Sequence, residues 1–543
     1  MEAGQRGRLN SRELLLNTGS TFWKCLPKHL SPPPCAIRQK SPKLHRNLQN
    51  WHSNRHSVNG SLANDSLITD DKPLQTAACF LQLRLRSAML SRTLLSLLIL
   101  PCLVLPAFCQ DSESSTPSMP AGIDLQDGDT FVFLGDSITH QRLYTQYVET
   151  FFYQRYPDRR INFHNAGIGG AQAWDALART GRDVLDYKPR YVSILLGMND
   201  GRYRPFDAEI FANYQKDMLT LVSRLRAGGA TPILMSPTMF DARAARNSRR
   251  QRDPDMLQQY NSVLAYYGRW LQDVALETGT AYVDMYGPLN DLTVEAREEE
   301  PGFTLIRDAI HPDPPGQIVM AYAMIDDLGQ RKALSNIRIQ PVRGELRASA
   351  NGGKVSDLQK TENGLSFSWL ADGLPWVLPP EAQQGVDLLR LGHKATREGL
   401  EIHGLPAGRY DVLIDGELVG TWPHTTLARH IELQGNEKTP QYQQALKVAL
   451  LNKQKNEGPV RKLRDGWRPF QNWARMERTL DSKALSPAPH VELAEKAATV
   501  RNNLKNLDSL ILEAEAEADK IEDEIYRVNQ PVVRRFEIRR AEK

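Results

Sequence analysis

Ser137 stands in Gly135-Asp136-Ser137-Ile138, directly after the apolar run Phe131–Leu134. A serine just past a buried strand, opening a helix, is held at the carboxyl edge of a sheet. Its own N–H then belongs to a helix N-terminus, where developing negative charge is favoured. A second apolar run leads into Asn165-Ala166-Gly167-Ile168-Gly169-Gly170, and glycines there let the backbone approach a ligand closely and point N–H groups at it. A third ends in Gly197-Met198-Asn199-Asp200, where an asparagine amide can be offered to an oxyanion. Farther on comes Asp308-Ala309-Ile310-His311. A carboxylate three residues before a histidine can meet it within one turn, hold its tautomer and stabilise the imidazolium. Singly these pieces read as helix caps, tight turns and surface residues. Together they supply a nucleophile, a base, an orienting acid and oxyanion donors, the parts of acyl transfer.

The elements that must position them follow from the apolar pattern. Between about 128 and 330, short runs at Phe131–Leu134, Ile161–His164, Tyr191–Leu196, Pro232–Met235 and Ala281–Met285 alternate with helical stretches near 142–156, 171–186, 208–227, 254–277 and 315–329. Strands alternating with helices predict a parallel sheet covered on both faces. In such sheets sites form at the carboxyl ends of the strands, where every candidate residue falls.

In order along the chain, Gly135-Asp136-Ser137, the Gly170 loop, Gly197-Met198-Asn199-Asp200 and Asp308-x-x-His311 resemble the four sequence blocks of the GDSL/SGNH hydrolase family. The resemblance covers roughly residues 128–330. It implies an α/β fold, a three-layer α/β/α sandwich with a five-stranded parallel sheet of flavodoxin-like order, and a secreted serine esterase. Residue by residue, it implies Ser137 as nucleophile, His311 as base and Asp308 as its orienting acid. The Ser137 N–H, the Gly170 N–H and the Asn199 side chain would form the oxyanion hole. Ile138 replaces the usual leucine, and Gly169 stands where many members have serine. The chemistry requires no metal and no cofactor.

The rest of the chain is expected to divide by composition. Residues 1–88 are rich in Arg, Lys, Ser, Asn and Pro and should not pack a core; they read as a disordered leader or a mis-assigned start. Residues 89–110 read as a signal peptide, with Arg92 ahead of an apolar run from Leu94 to Phe108 that is too short and too broken by Pro101 and Pro106 to span a membrane. Phe108 before Cys109 disfavours lipid anchoring, so the expected location is periplasmic or extracellular. Residues 111–127 form a linker, and 331–437 a small β-rich module with Leu400–His403, Tyr410–Ile414 and Leu418–Trp422 as strands. The Asp415-Gly416 pair between the last two marks a hairpin. Residues 438–543 are mostly helical. Their stripe from Leu493 to Val528 steps by four and three, which predicts a long helix packed within the chain or a coiled coil.

The net charge is +4, but residues 1–110 hold about 14 Lys and Arg against about 5 Asp and Glu, leaving the remainder near −5. The folded part is therefore not expected to bind nucleic acid. The five cysteines all precede residue 110, so the rest of the chain forms no disulfide and no thiolate metal site. The partner expected is a small-molecule or polysaccharide ester, O-acetyl groups on carbohydrate foremost. The alternatives are a lipid or lysophospholipid acylhydrolase, or a carbohydrate-binding or surface-assembly protein with a dormant hydrolase domain. Arg243, Arg246, Arg249, Arg250 and Arg252 form either a site for an acidic sugar or a solvated basic loop. Trp376, Trp422, Trp467 and Trp473 either stack on sugar rings or fill the core.

Overall fold

The computed structural model describes residues 122–247, 251–482 and 486–542. The expected leader and signal peptide lie outside them, as do Arg249 and Arg250. The first half of the described chain is built on strands β1 (Thr130–Gly135), β2 (Asn162–Gly167), β3 (Tyr191–Leu195), β4 (Thr231–Met235) and β5 (Ala281–Val283). They form an all-parallel sheet in the order β2-β1-β3-β4-β5. Helix α1 (Ser137–His140) and α2 (Leu143–Arg155) follow β1, α3 (Ala173–Asp183) follows β2, and α4 (Ala208–Ala227) follows β3. Then come α5 (Ala242–Asn247), α6 (Pro254–Thr278), α7 (Tyr286–Glu299) and α8 (Pro314–Asp327).

Right-handed crossovers place the helices after β1 and β2 on opposite faces, because the chain steps one way and then the other along the sheet. Accordingly α2 packs on α8, and α3 on α4. Helix α6 joins α4 through stacked Tyr214 and Tyr267, 4.7 Å apart. The strands are buried along almost their whole length, as a sheet covered on both faces requires. Asp253 caps α6 by accepting from the Met256 N–H, Pro254 opens the helix, and Gly279 closes it at φ +60.

Beyond α8 the chain adds β6 (Ser335–Val342), β7 (Glu345–Asn351), β8 (Gly353–Thr361), β9 (Gly364–Ala371), β10 (Glu398–Ile402), β11 (Arg409–Ile414), β12 (Glu417–Pro423) and β13 (Ile431–Glu432). One sheet runs β13-β10-β6-β7, the other β12-β11-β14-β9-β8, where β14 is Arg534–Arg540. They face each other over Ile339, Phe367, Leu400, Val412 and Phe536. Asp415 and Gly416 have φ of +52 and +87, the backbone of the turn their sequence predicts. The second sheet is completed by β14 (Arg534–Arg540), which enters between β11 and β9 from the far end of the chain. The sequence pattern marks no strand there.

Short helices α9 (Gln383–Leu389), α10 (Leu391–Ala395) and α11 (His424–Arg429) fill the module's margins. The tail consists of α12 (Pro440–Lys455), a π-helical turn over Asn456–Val460, α13 (Arg461–Asp481), α14 (Pro487–Asn503) and α15 (Leu507–Val528). The apolar stripe packs within the chain. Leu507 and Ala514 join Trp467 and Ile168 in one cluster, and Ile525 joins Tyr153 and Val448 in another. Trp376 and Trp467 are buried, so both serve the core rather than a sugar ring. Among the described residues, no helix is long and apolar enough to cross a membrane.

Candidate active site

Asp136 caps α1, its carboxylate accepting from the Ile138 N–H at 2.9 Å, and so fixes the turn that lifts Ser137 off the end of β1. Gly167 lets α1 lie flush on the sheet: a β-carbon there would meet the His140 nitrogen at 2.4 Å. Ser137 is half-buried, whereas its neighbours Asp136 and Ile138 are buried.

The loop before α8 brings His311 to it from 174 residues away, Nε2 standing 2.8 Å from the Ser137 hydroxyl. The Asp308 carboxylate lies 2.6 Å from Nδ1 with one oxygen and accepts the Ile310 and His311 N–H groups with the other, at 2.9 and 2.7 Å. A proton on Nδ1 makes it the donor to Asp308 and leaves the Nε2 lone pair to accept from Ser137. Hydrogen bonding to Asp308 holds His311 above the usual histidine value, against burial, which lowers it. Burial raises Asp308, but hydrogen bonds from the His311 ring and from the His311 and Ile310 N–H groups outweigh it and leave its pKa at about 2.

Ala309, between the two, has φ +76, an uncommon conformation for a residue with a side chain. It is kept there by donating to the Ile306 carbonyl at 2.9 Å and accepting from the Asp241 N–H at 3.0 Å. Asp241 is itself tied down by Arg297 at 2.6 Å. Arg252 donates to the Asp308 carbonyl at 3.3 Å and lies over the Phe240 ring, while Arg243 bonds the Pro301 carbonyl. These members of the basic loop thus brace the histidine loop.

Gly170 adopts φ +73, the left-handed region that favours glycine. The Asn199 amide donates to Asp136 at 3.2 Å and to the Ala171 carbonyl at 3.1 Å, and its oxygen accepts from the Tyr203 hydroxyl. Gln172 reaches the Asn199 carbonyl at 2.7 Å, and the Asp200 carboxylate takes the Ala173 N–H at 2.8 Å. The loops after β1, β2 and β3 are thereby locked to one another. Burial pushes Asp136 up to about 6 and Asp200 up to about 7.

Five residues singled out by motif, Ser137, Gly170, Asn199, Asp308 and His311, thus fall on four loops at the carboxyl edge of the parallel sheet. The supports contributed by α13 carried no such signal. Gln471 donates to the Gly169 carbonyl at 3.2 Å. Arg475 donates to the Gly170 carbonyl at 2.6 Å and to both oxygens of Asp175 at 3.1 and 2.6 Å. Nothing in the local sequence around residues 471–475 announces a partner some 300 residues earlier.

Residues 133–318 match the family model of the GDSL-like lipase/acylhydrolase family. An acetylxylan esterase of Geobacillus stearothermophilus is 27% identical over 224 residues, covering 37% of this chain and 94% of the relative. A protein named as an uncharacterized lipoprotein of Bacillus subtilis is 36% identical over 80 residues, covering 14% of this chain and 32% of the other. A solved structure described as a gut microbial diltiazem-metabolizing enzyme is 25% identical with a TM-score of 0.66, covering 78% of this chain and all of the other. That coverage extends well beyond residues 133–318. Residues 133–318 are thus similar to the GDSL-like lipase/acylhydrolase family, and the chain is a carboxylic ester hydrolase.

Proposed function

We propose that the chain is an exported serine esterase that removes small acyl groups, acetyl foremost, from carbohydrate. The observation that carries this reading is the aligned relay of Ser137, His311 and Asp308, with contacts of 2.8 and 2.6 Å. In the proposed reaction His311 Nε2 takes the Ser137 proton as the hydroxyl oxygen attacks the ester carbonyl. The negative charge that develops on the carbonyl oxygen is met by the Ser137 N–H, the Gly170 N–H and the Asn199 amide. Collapse of the tetrahedral intermediate expels the alcohol, protonated by His311, and leaves an acyl-Ser137 ester. Water, deprotonated by the same histidine, then releases the acid and restores the serine. Asp308 holds the imidazole tautomer and stabilises the imidazolium of both half-reactions.

The acetylated-carbohydrate substrate is supported by the relative named as an acetylxylan esterase. Export is supported by the apolar run ending at Phe108.

The test compares the wild type with Ser137→Ala on p-nitrophenyl acetate, on a long-chain p-nitrophenyl ester, and for acetate release from acetylated polysaccharides. Loss of a triad nucleophile is expected to cost about 10⁴-fold or more in kcat, with the acetyl substrates turned over faster than the long-chain one. Equal, slow rates for both proteins on every ester would refute the catalytic reading. Preference for the long acyl chain would redirect it to lipid.

A further inference from the structure

We infer that helix α13 is a positioning element of the oxyanion hole, with Gln471 and Arg475 holding the Gly169–Gly170 loop in its working geometry. The inference rests on the reading that Ser137 and Gly170 serve acyl transfer.

The Gly169 carbonyl and the Gly170 N–H belong to one peptide unit. In a trans peptide these two groups point in opposite directions within one rigid plane. By donating to the Gly169 carbonyl at 3.2 Å, Gln471 fixes the direction of the Gly170 N–H from behind. A hydrogen bond accepted at the carbonyl also polarises the N–H of the same unit as a donor. Arg475 grips the next peptide through the Gly170 carbonyl at 2.6 Å and ties it to Asp175. Asp175 is fully buried and takes the Gln172 N–H at the start of α3. Two consecutive peptides of a loop that carries two glycines in succession are thus pinned. Unpinned, those glycines would leave the loop the widest choice of conformations of any residue type.

The helix that does the pinning is itself anchored. Arg464 pairs with the buried Asp183 at 3.0 and 2.8 Å, and Trp467, fully buried, packs on Ile168 of the same loop. The tail also holds the nucleophile's own helix. Asp465 lies 3.3 Å from His140 in α1, and Arg142, just beyond it, donates to the Asn456 carbonyl at 2.9 Å. Residues 456–475 lie outside the matched family segment 133–318, yet they hold both loops that would supply backbone donors.

The test uses the full chain with Gln471→Leu, Arg475→Met, Arg475→Lys and the control Lys462→Ala, whose side chain pairs with Glu513 on α15. Removing an oxyanion donor costs about 10²–10³ in kcat. Leaving the donor in place but unheld is expected to lower kcat by about tenfold in Gln471→Leu and in Arg475→Met, with KM changed by less than about threefold. Phenylboronic acid, which forms a tetrahedral adduct on a serine nucleophile, should weaken as an inhibitor in parallel with kcat. Arg475→Lys keeps a cation and a donor and should recover part of the loss; it also serves where Met does not fold. Lys462→Ala should match the wild type. Unchanged kcat and unchanged boronate inhibition in folded variants, with only the melting temperature lowered, would overturn the positioning role. An equal kcat loss in Lys462→Ala would do the same. Ser137→Ala is assayed in the same series. Full activity there sinks the acyl-transfer reading itself, whereas loss there beside unaffected α13 variants sinks only this inference.

Discussion

Two of the histidine–aspartate pairs beside the parallel sheet sit in opposite surroundings and, on the proposed reading, do opposite work. His311 and Asp308 are 29% and 57% exposed; His164 and Asp183 are 7% and 0% exposed. In the first pair the carboxylate's hydrogen bond raises the histidine, and a serine hydroxyl stands on the other ring nitrogen. In the second, burial is the largest influence and lowers His164, whose ring is stacked on Tyr187 at 3.7 Å. Asp183 would be raised by burial, but Arg464, His164 and Arg179 together hold it well below the usual carboxylate range. Its charge is shared between two arginines and its histidine. A carboxylate beside an imidazole is therefore not a catalytic device in itself. On the proposed reading it becomes one where water and a nucleophile reach the ring and no cation competes for the acid.

The largest effect should separate the two histidines. His311→Ala is expected to lose about 10⁴-fold or more in kcat, while His164→Ala keeps kcat within a few-fold and lowers the melting temperature. Comparable catalytic losses in two folded variants would break the distinction. The pH profile sharpens it. A base must be neutral, and His311 is raised by Asp308, so kcat/KM should climb through a pKa above the free-histidine value of about 6.5. Asp308→Asn, beside its loss of rate, should move that limb to lower pH.

Next in size is the docking pair. Breaking a buried ion pair costs about 3–5 kcal/mol where the surviving charge is left unpaired; Asp183 keeps Arg179 at 2.6 Å, so Arg464→Met should destabilise the fold by less, about 2 kcal/mol, in urea titrations. Asp183, depressed in the native state, contributes stability present above the ordinary carboxylate pKa and lost as pH falls through its lower native value. Arg464→Met should therefore also flatten the acid limb of the wild-type stability curve. A loss below about 1 kcal/mol would mean that apolar contacts around Trp467, not the ion pair, seat α13.

The same contrast explains what the sequence made legible. The parallel sheet is written in consecutive apolar runs, each feeding its own loop, so strand ends and site residues could be read together. The observed strands Asn162–Gly167 and Ala281–Val283 differ from the runs by a few residues at their ends. Helix α7 carries only Leu289 and Thr293 as buried residues, too little apolar periodicity to announce it. Helix α2 is the reverse: Tyr144 to Gln154 are all buried, because α12 covers the face that would otherwise meet water. Some of its polar groups are satisfied at a distance, Gln154 by the Val377 and Ala445 carbonyls. The sandwich was half legible, since hairpins are local, but β14 joins its sheet only because the whole tail returns. Gln471 and Arg475 were illegible for the same reason.

The smallest expected effect concerns a buried carboxylate with no cation of its own. Asp200 is buried like Asp183, yet burial, reinforced by the nearby Asp136 and Asp175, leaves its pKa raised to about 7. One oxygen takes the Ala173 N–H; the other has no hydrogen-bond partner. Because the native value exceeds the unfolded one, Asp200 stabilises fully below about pH 4. That contribution drains away as pH rises toward 7, with a slope on the order of 1 kcal/mol per pH unit. Asp200→Asn keeps the acceptor for Ala173 and removes the titration. Urea denaturation of both proteins between pH 5 and 8 should then show the wild type losing stability with rising pH more steeply than the variant. Parallel curves would mean that Asp200 is ionised throughout, and the contrast with Asp183 would then lie in geometry rather than in charge.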